Sequence, residues 1–240
     1  MQQGERRRRP RGAVRDGLVA AGLELARTGG PDAVVLREAT RMVGVVPNAA
    51  YRHFADRDEL LAAVCAAAMN ELAARMAAGV ARVPGRPGEP DAARGRLRAI
   101  GTAYLTFARE EPGLFATAFA LPQQHPYGVP DGRTEPDRSP LNQLRTRLDE
   151  LVHPEDRPGC RQAVAASLDQ RGLPGRFPCR VRAADGTWRH VEATVSPYRH
   201  SGGTDQLLVT ARDVSDQVAL RRQVTHLTFH DGLTGLPNRA

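Results

Sequence analysis

Residues 36–61 read LREATRMVGVVPNAAYRHFADRDELL, and this stretch decides the fold of the first part of the chain. Apolar residues at helical spacing open it and predict a short helix: Leu36, Ala39 and Val43. Gly44 allows a tight turn, and Pro47 suits the first turn of a second short helix, which we expect to run to Phe54. Two short helices joined by a brief turn predict a helix-turn-helix.

Longer helices flank this motif on both sides. The helix before it has an apolar face at Val14, Leu18, Ala21 and Leu25. After it, Asp56 and Glu59 have the spacing of a capping box, in which each carboxylate accepts a hydrogen bond from a backbone N–H at the helix start. The long connecting helix that follows carries an apolar stripe: Leu61, Val64, Ala68, Leu72, Met76 and Val80.

The order and spacing of these residues resemble the DNA-binding domain of the TetR/AcrR family of transcriptional regulators. The resemblance rests on the run Leu36-Arg37-Glu38-Ala39, on Gly44-Val45, Pro47 and Ala49, on Tyr51-Arg52-His53-Phe54, and on Arg57 with Leu60-Leu61. It implies a surface that binds double-stranded DNA, made by residues in and around the second short helix: Arg37, Pro47, Asn48, Ala49, Tyr51, Arg52, His53 and Arg57.

The resemblance gives these residues different tasks. Residues 47–49 would face the bases in the major groove, which is wide enough for a helix. Tyr51 and His53 would contact backbone phosphates, and Arg57 would clamp a phosphate at the start of the next helix. Three plainer interpretations stand beside these: Tyr51 as a core aromatic, His53 as an ordinary surface residue, and Arg57 as a solvated side chain.

Four positions depart from the family pattern. Val46 stands where a small hydroxyl N-cap is usual, Asn48 where Gly is common, Ala50 where a larger apolar residue is common, and Thr40 where Ala is usual. Loss of the N-cap would weaken the second short helix by about 1 kcal/mol. The base sequence that the family reads therefore does not transfer to this chain.

The chain is basic. It has 34 basic and 27 acidic side chains among 240 residues, for a formal net charge of +7, and every basic residue is Arg, which we attribute to a GC-rich genome. Five of these arginines lie in a tail: Arg6, Arg7, Arg8, Arg9 and Arg11. The tail is either a solvated disordered segment or a nucleic-acid arm, and its position beside the helix-turn-helix favours the arm.

Other sequence features argue against several classes of protein. We find no apolar run approaching the roughly 18–20 residues of a membrane span and no secretory leader, so we expect a cytoplasmic protein. Cys65, Cys160 and Cys179 form no metal-binding or redox motif, and we expect buried, unreactive thiols. There is no nucleophile elbow, P-loop or dinucleotide fingerprint, so we expect neither an enzyme, nor a metal, nor a cofactor.

A second helical segment follows the long helix. Residues 97–121 are similar to the ligand-sensing domain of one TetR subgroup, and the resemblance implies that aromatic residues line a pocket for a small apolar effector: Tyr104, Phe107, Phe115 and Phe119. The alternative is that these rings form the core of a small helical bundle. Further on, Ser139 and Pro140 predict the cap and first residue of a helix with a leucine face.

The periodicity changes after Val152 from helical to alternating. A helix opened by residues 153–156 is followed by strands around an Asp185-Gly186 hairpin and by a third strand at residues 207–211. A three-residue loop with a left-handed Gly186 would pair Cys179 with Val191 and Phe177 with Ala193, which puts the apolar residues on one face. We predict this register, and a last helix capped by Ser215 and running to about Phe229.

This part resembles a different family. The runs 153–157, 185–188, 207–209 and 212–215 are similar to the second half of a PAS sensor domain, and residues 229–239 resemble the opening of a GGDEF, or diguanylate cyclase, domain. The chain ends before any GGDEF metal site or nucleotide site, so we expect no cyclase activity. The two helices through which the TetR family dimerises should follow Val152, and they are absent from the sequence.

Together these patterns predict a mainly α fold: a TetR-like helix-turn-helix and helical bundle, then a small α+β PAS-like half domain with an antiparallel three-stranded sheet, then a C-terminal linker helix. The expected segments are a basic arm at 1–12, the DNA-binding domain at 13–60, a truncated effector and dimerisation domain at 61–152, the PAS-like part at 153–214, and the linker with the GGDEF start at 215–240.

Three functional hypotheses follow. The first is a sequence-specific DNA-binding regulator of TetR type, a repressor that responds to a small apolar effector and, by family resemblance, forms a homodimer. The second is a sensory fragment of a PAS-GGDEF protein without cyclase activity. The third is a fusion of two family portions, joined near residues 151–153, that has no regulated activity.

Overall fold

The computed structural model describes residues 12–86, 88–121, 138–169, 175–199 and 205–229. They fall into two compact units. The first takes in the described residues of 1–84, 95–126 and 130–144, and the second those of 85–94, 127–129 and 145–240. The expected basic arm and the residues of the GGDEF resemblance beyond Phe229 lie outside the described residues.

The first unit is helical. Its elements are α1 (Ala13–Gly29), a 3₁₀ turn (Pro31–Ala33), α2 (Leu36–Val43), α3 (Pro47–Ala50), α4 (Arg57–Ala81), α5 (Pro90–Glu110), α6 (Pro112–Ala118) and α7 (Pro140–Leu151). The first residues of α5 and the last residues of α7 are assigned to the second unit. Its core is built by α1, α2 and α4, with Leu18, Phe54 and Leu60 at most 1% exposed. The predicted stripe of α4 lies in or against this core.

Helix α4 corrects one expectation. By length and composition it is long and apolar enough to cross a membrane, contrary to the expectation that the chain has no such run. Its buried residues include Val64, Ala68, Leu72 and Met76, which pack against the neighbouring helices of the first unit. A core helix of a soluble protein has the same composition, because burial in protein and burial in lipid select the same side chains.

The predicted capping box at the start of α4 is confirmed, with one shift. The backbone N–H of Glu59 donates to Asp56 Oδ1 at 2.8 Å, as expected for an N-cap. The Glu59 carboxylate accepts from the N–H of Ala55 at 2.6 Å, one residue earlier than in the standard motif. Two backbone donors at the helix start are therefore satisfied.

Helix α3 is shorter than predicted. It ends at Ala50, and Tyr51–His53 form a turn rather than the last helical residues before Phe54. The N–H of His53 bonds to the carbonyl of Ala50 at 2.8 Å, an i to i−3 bond that tightens the chain out of the α-helix. This turn places Phe54 in the core at 1% exposure.

The second unit contains the sheet. A 3₁₀ turn (Pro154–Asp156) leads into α8 (Arg157–Asp169), followed by β1 (Gly175–Arg182), β2 (Trp188–Arg199), β3 (Asp205–Asp213) and α9 (Ser215–Phe229). The strands are antiparallel in the order β1-β2-β3. The predicted fold class, mainly helical with a three-stranded antiparallel sheet and a C-terminal helix, is confirmed.

The predicted register of the hairpin is confirmed. Cys179 pairs with Val191 and Phe177 with Ala193. The N–H of Ala183 donates to the carbonyl of Thr187 at 2.8 Å, which leaves a three-residue loop. Gly186 in that loop has φ +82°, the left-handed conformation that glycine adopts most readily.

Ser215 acts differently from the predicted cap. Its hydroxyl accepts a hydrogen bond from the backbone N–H of His190 at 3.0 Å. The Asp213 carboxylate accepts instead from the N–H of Ser215 at 2.8 Å. Because β2 passes directly beside the start of α9, the serine ties the helix to the sheet while Asp213 satisfies the helix start.

Candidate nucleic-acid interface

The turn between α2 and α3 sets the geometry of the site. Gly44 has φ +70° and ψ +37°, and its N–H donates to the carbonyl of Arg41 at 3.3 Å. The next N–H, of Val45, donates to the carbonyl of Thr40 at 3.1 Å, so α2 ends in a Schellman-type cap. The buried Thr40 hydroxyl bonds to the Arg37 carbonyl at 2.7 Å, so this departure from the family pattern leaves no unsatisfied polar group.

Two of the three residues predicted to face DNA bases are exposed. These are Pro47 and Asn48, whereas Ala49 is half-buried. Val46, which precedes them, is 68% exposed. Ala50 is fully buried beneath them and anchors α3 to the core. No side chain caps α3 at Val46, as the absence of a hydroxyl there predicts. A short exposed segment on a buried anchor can enter a groove without disturbing the core.

The exposure of Tyr51 shows whether it is a core aromatic. Tyr51 is 58% exposed, and Phe54 is 1% exposed and fills the core in its place. Tyr51 is therefore no core aromatic. Arg37 and Arg52 are also exposed, while His53 is half-buried. Three of the predicted polar residues are therefore exposed: Arg37, Tyr51 and Arg52.

Arg57 has a different environment from the one expected of a phosphate clamp. Its Nε donates to the carbonyl of Val34 at 3.0 Å and its Nη2 donates to the carbonyl of Pro31 at 2.9 Å. Asp32 and Asp58 lie at 3.9 and 3.7 Å from its guanidinium. This arrangement favours a structural role, in which Arg57 fastens α4 to the segment before α2.

Three of the four predicted effector-pocket residues form a cluster. The ring centroids of Tyr104 and Phe115 are 5.2 Å apart, and those of Phe115 and Phe119 are 5.0 Å apart. Burial raises the pKa of the Tyr104 hydroxyl, whereas Phe119 is 40% exposed. Phe107 lies apart from this cluster, fully buried, with the Arg75 guanidinium 4.8 Å from its ring centroid.

Sequence reasoning missed an ion-pair network in the first unit. Arg27 on α1 donates to Glu111 Oε1 at 2.6 Å and to Glu71 Oε2 at 3.1 Å. Arg75 on α4 donates to the same two carboxylates at 3.2 and 3.1 Å. The network joins α1 and α4 to the residue before α6, and sequence spacing carries no sign of it because Arg27 and Glu111 are 84 residues apart.

The second unit has polar contacts of its own around the 153–157 motif. The Asp156 carboxylate accepts from the backbone N–H of Arg180 at 2.7 Å and from its Nε at 2.9 Å, and the Arg180 side chain lowers the pKa of Asp156 to about 2. The rings of His153 and Trp188 lie 4.6 Å apart. The motif therefore fastens the start of α8 to strand β1.

One of the three cysteines differs from its expected state. All three are free, and Cys65 and Cys179 are buried as predicted, but Cys160 is half-buried. Folding also brings Cys160 close to Cys179. Burial, with the neighbouring Cys179 thiol, raises the pKa of Cys160 to about 12.

Two family models match the chain. Residues 18–64 match bacterial regulatory proteins of the tetR family, and residues 138–211 match the PAS fold. The PAS match starts 15 residues before the expected start at 153. Both matches end before residue 229, so the resemblance of residues 229–239 to a GGDEF domain remains a prediction. None of the curated proteins matches the chain.

Solved structures are similar to parts of the chain. A protein with unknown function from Rhodococcus sp. RHA1 is 20% identical over 70% of this chain and 83% of its own, with a TM-score of 0.42. A TetR family transcription regulator from Marinobacter aquaeolei VT8 is 17% identical over 58% and 73%, with a TM-score of 0.37. A sensory box histidine kinase/response regulator from Burkholderia thailandensis E264 is 24% identical over 36% and 77%, with a TM-score of 0.26.

The two family matches coincide with the two kinds of structure in the chain. Residues 18–64 cover the helix-turn-helix and the first part of α4, and residues 138–211 cover α7, α8 and the sheet. The chain therefore combines a segment similar to tetR-family regulatory proteins with a segment similar to the PAS fold.

Proposed function

We propose that this chain is a DNA-binding transcriptional regulator of tetR type that acts as a repressor in the cytoplasm, without enzymatic activity. The observation that carries the proposal is the exposed segment Val46–Asn48, which stands on the buried Ala50 within the tetR-family match. A recognition helix must expose a few side chains to base edges while its other side holds it to the protein. Residues 46–48, held in place by Ala50, meet that requirement.

Electrostatics support DNA as the partner. The formal net charge is +7, and two of the arginines are exposed: Arg37 on α2 and Arg52 in the turn after α3. Exposed arginines attract phosphates over a distance of about one Debye length and supply the affinity that is independent of base sequence. Tyr51 adds a hydroxyl that can donate to a phosphate.

The aromatic cluster supports an effector site. Tyr104, Phe115 and Phe119 contact one another between α5 and α6, and Phe119 is 40% exposed, so a small apolar molecule can reach the rings. Apolar pockets of this kind bind ligands through aromatic contact and one or two polar groups. Phe107 is left out of the proposed effector site because it is buried beside Arg75.

The first prediction concerns Tyr51. The full chain is used to enrich binding duplexes from a randomised DNA pool, and affinity for the enriched duplex is then measured by fluorescence anisotropy. We expect Tyr51→Ala to weaken binding about 10-fold, because the loss of one phosphate contact to an exposed hydroxyl costs about 1.5 kcal/mol. The matched control is Phe229→Ala, which removes an aromatic ring of similar exposure (63%) from α9.

Two results would contradict the proposed function. One is that no duplex is enriched from the pool, and the other is that Tyr51→Ala and Phe229→Ala bind DNA equally well. The family resemblance implies a homodimer. Tight DNA binding would agree with it, because a single helix-turn-helix usually reads one half-site and binds weakly.

The PAS match favours a second candidate function. Residues 138–211 belong to the segment in which Trp188, the one tryptophan of the chain, contacts His153 and lies 4.7 Å from the Arg182 guanidinium. A small molecule bound to this segment would change the environment of that indole. The test measures Trp188 fluorescence while a fraction of small cellular molecules is added. A change in this emission, together with the absence of any enriched DNA, would favour a sensory segment over a repressor.

A further inference from the structure

Two adjacent valines in the turn before α3 have opposite environments. Val45 packs against the hydrophobic core and is half-buried. Val46 is 68% exposed, more than any other valine among the described large hydrophobics. A single exposed apolar residue needs no special explanation on its own. Val46 differs because it lies beside Pro47 and Asn48, on the segment proposed to meet base edges.

The chemistry of Val46 limits what it can contact on DNA. Its isopropyl group has no hydrogen-bond donor, and the structure shows no side-chain cap at this position. It therefore cannot hold a phosphate, which a serine or threonine at the same place would do. The major groove has one apolar feature at the base edges, the C5-methyl group of thymine, and apolar side chains recognise that group.

We infer that Val46 packs against the C5-methyl of a thymine, so that each half-site of the DNA contains a thymine read by this residue. The inference rests on the proposed function, because it assigns base specificity to the same segment. It adds a specificity-determining residue that does not depend on hydrogen bonding.

Removal of one methyl group from the DNA tests the inference directly. The duplex enriched by the full chain is synthesised with uracil in place of each thymine in turn, a change that leaves every hydrogen-bonding group of the base intact. At one thymine in each half-site we expect uracil to weaken binding about fourfold, the effect of exposing one buried methyl group. Uracil at the remaining positions should change affinity less than twofold.

A substitution in the protein identifies the side chain responsible. For the wild-type chain, the affinity for the thymine duplex should be about four times the affinity for the duplex with uracil at that position. For Val46→Ser this ratio of affinities should fall to about one, because the serine side chain no longer covers the methyl group. The matched control is Val35→Ser. Val35 is the uncapped N-cap of α2 and is 40% exposed, so it undergoes the same chemical change at the equivalent position of the preceding helix. This variant should keep the ratio at about four.

The outcomes separate the inference from the proposed function. Enriched DNA that tolerates uracil at every thymine, or a site without a required thymine, overturns the inference and leaves DNA binding intact. A thymine preference that survives in Val46→Ser also overturns it, because another residue then reads the methyl group. No enrichment of any duplex by the wild-type chain contradicts both.

Discussion

Arg57 fits the family pattern and also makes contacts within the first unit that stabilise the fold. Its two hydrogen bonds go to the carbonyls of Val34 and Pro31, which belong to the segment between α1 and α2. A backbone carbonyl that loses its partner must find water or remain unsatisfied. At this position the side chain holds the first residues of the long helix α4 to the beginning of the helix-turn-helix.

We therefore predict that Arg57→Ala lowers the free energy of unfolding by about 1 kcal/mol. This is less than the roughly 1.5–3 kcal/mol of a buried hydrogen bond to a charged group, because the Arg57 side chain is partly exposed. Urea unfolding followed by circular dichroism measures the change. The control is Arg41→Ala, whose side chain is 77% exposed and pairs with Glu38 three residues away, so its loss should cost less than about 0.5 kcal/mol. Equal effects of the two substitutions would contradict the structural role.

At the scale of elements, α6 meets α1 through a glycine. A Cβ atom at Gly113 would lie 2.2 Å from the carbonyl oxygen of Ala26 and 2.6 Å from that of Arg27. Both are backbone atoms at the end of α1, so neither can rotate away. The close approach allows the start of α6 to pack directly on the last turn of α1, beside the Arg27–Glu111 ion pair.

We predict that Gly113→Ala destabilises the chain by about 1–3 kcal/mol, the usual cost of overpacking. Gly101→Ala is the control, because Gly101 lies inside α5 with no atom within 4 Å of an added Cβ. Alanine there should stabilise by about 0.4–1 kcal/mol, since it restricts the unfolded chain and favours the helix. Thermal unfolding distinguishes the two, and a Gly113→Ala variant as stable as wild type would show that α6 can shift away from α1.

At the scale of the whole molecule, the proposed function predicts that the net charge of +7 favours the approach of the chain to DNA. Each phosphate neutralised releases counterions, so the logarithm of the binding constant should fall linearly with the logarithm of salt concentration, with a slope of about −0.9 per contact. If residues 46–48 enter a groove as proposed, exposed arginines beside them should contribute to that slope and distant arginines should not.

We predict that Arg52→Ala makes the slope of log binding constant against log salt concentration less negative by about 1 for each protomer bound. The preference of the chain for one DNA sequence over another should stay similar. Anisotropy titrations at several salt concentrations measure it. Arg109→Ala is the control: its side chain is 79% exposed, but it lies at the end of α5 beside Glu110. If neither substitution changes the slope, Arg52 does not contact a phosphate.

Local features of this protein were determined by its sequence alone. The caps at Gly44 and Asp56 and the hairpin register around Gly186 depend on residues a few positions apart, and their backbone conformations follow from glycine freedom, side-chain capping and alternation of apolar residues. Residues 46–48 are exposed, as a groove-facing segment requires, but helix α3 ends at Ala50 rather than at the predicted Phe54.

Only the tertiary structure decided which distant residues meet. It committed Arg57 to the carbonyls of residues 31 and 34, paired Arg27 with Glu111, separated Phe107 from the other aromatic rings, and brought Cys160 beside Cys179. Periodicity shows which face of an element is apolar but not which element will cover it. The partners of a long polar side chain depend on packing between elements, and for that reason these contacts were absent from the sequence predictions.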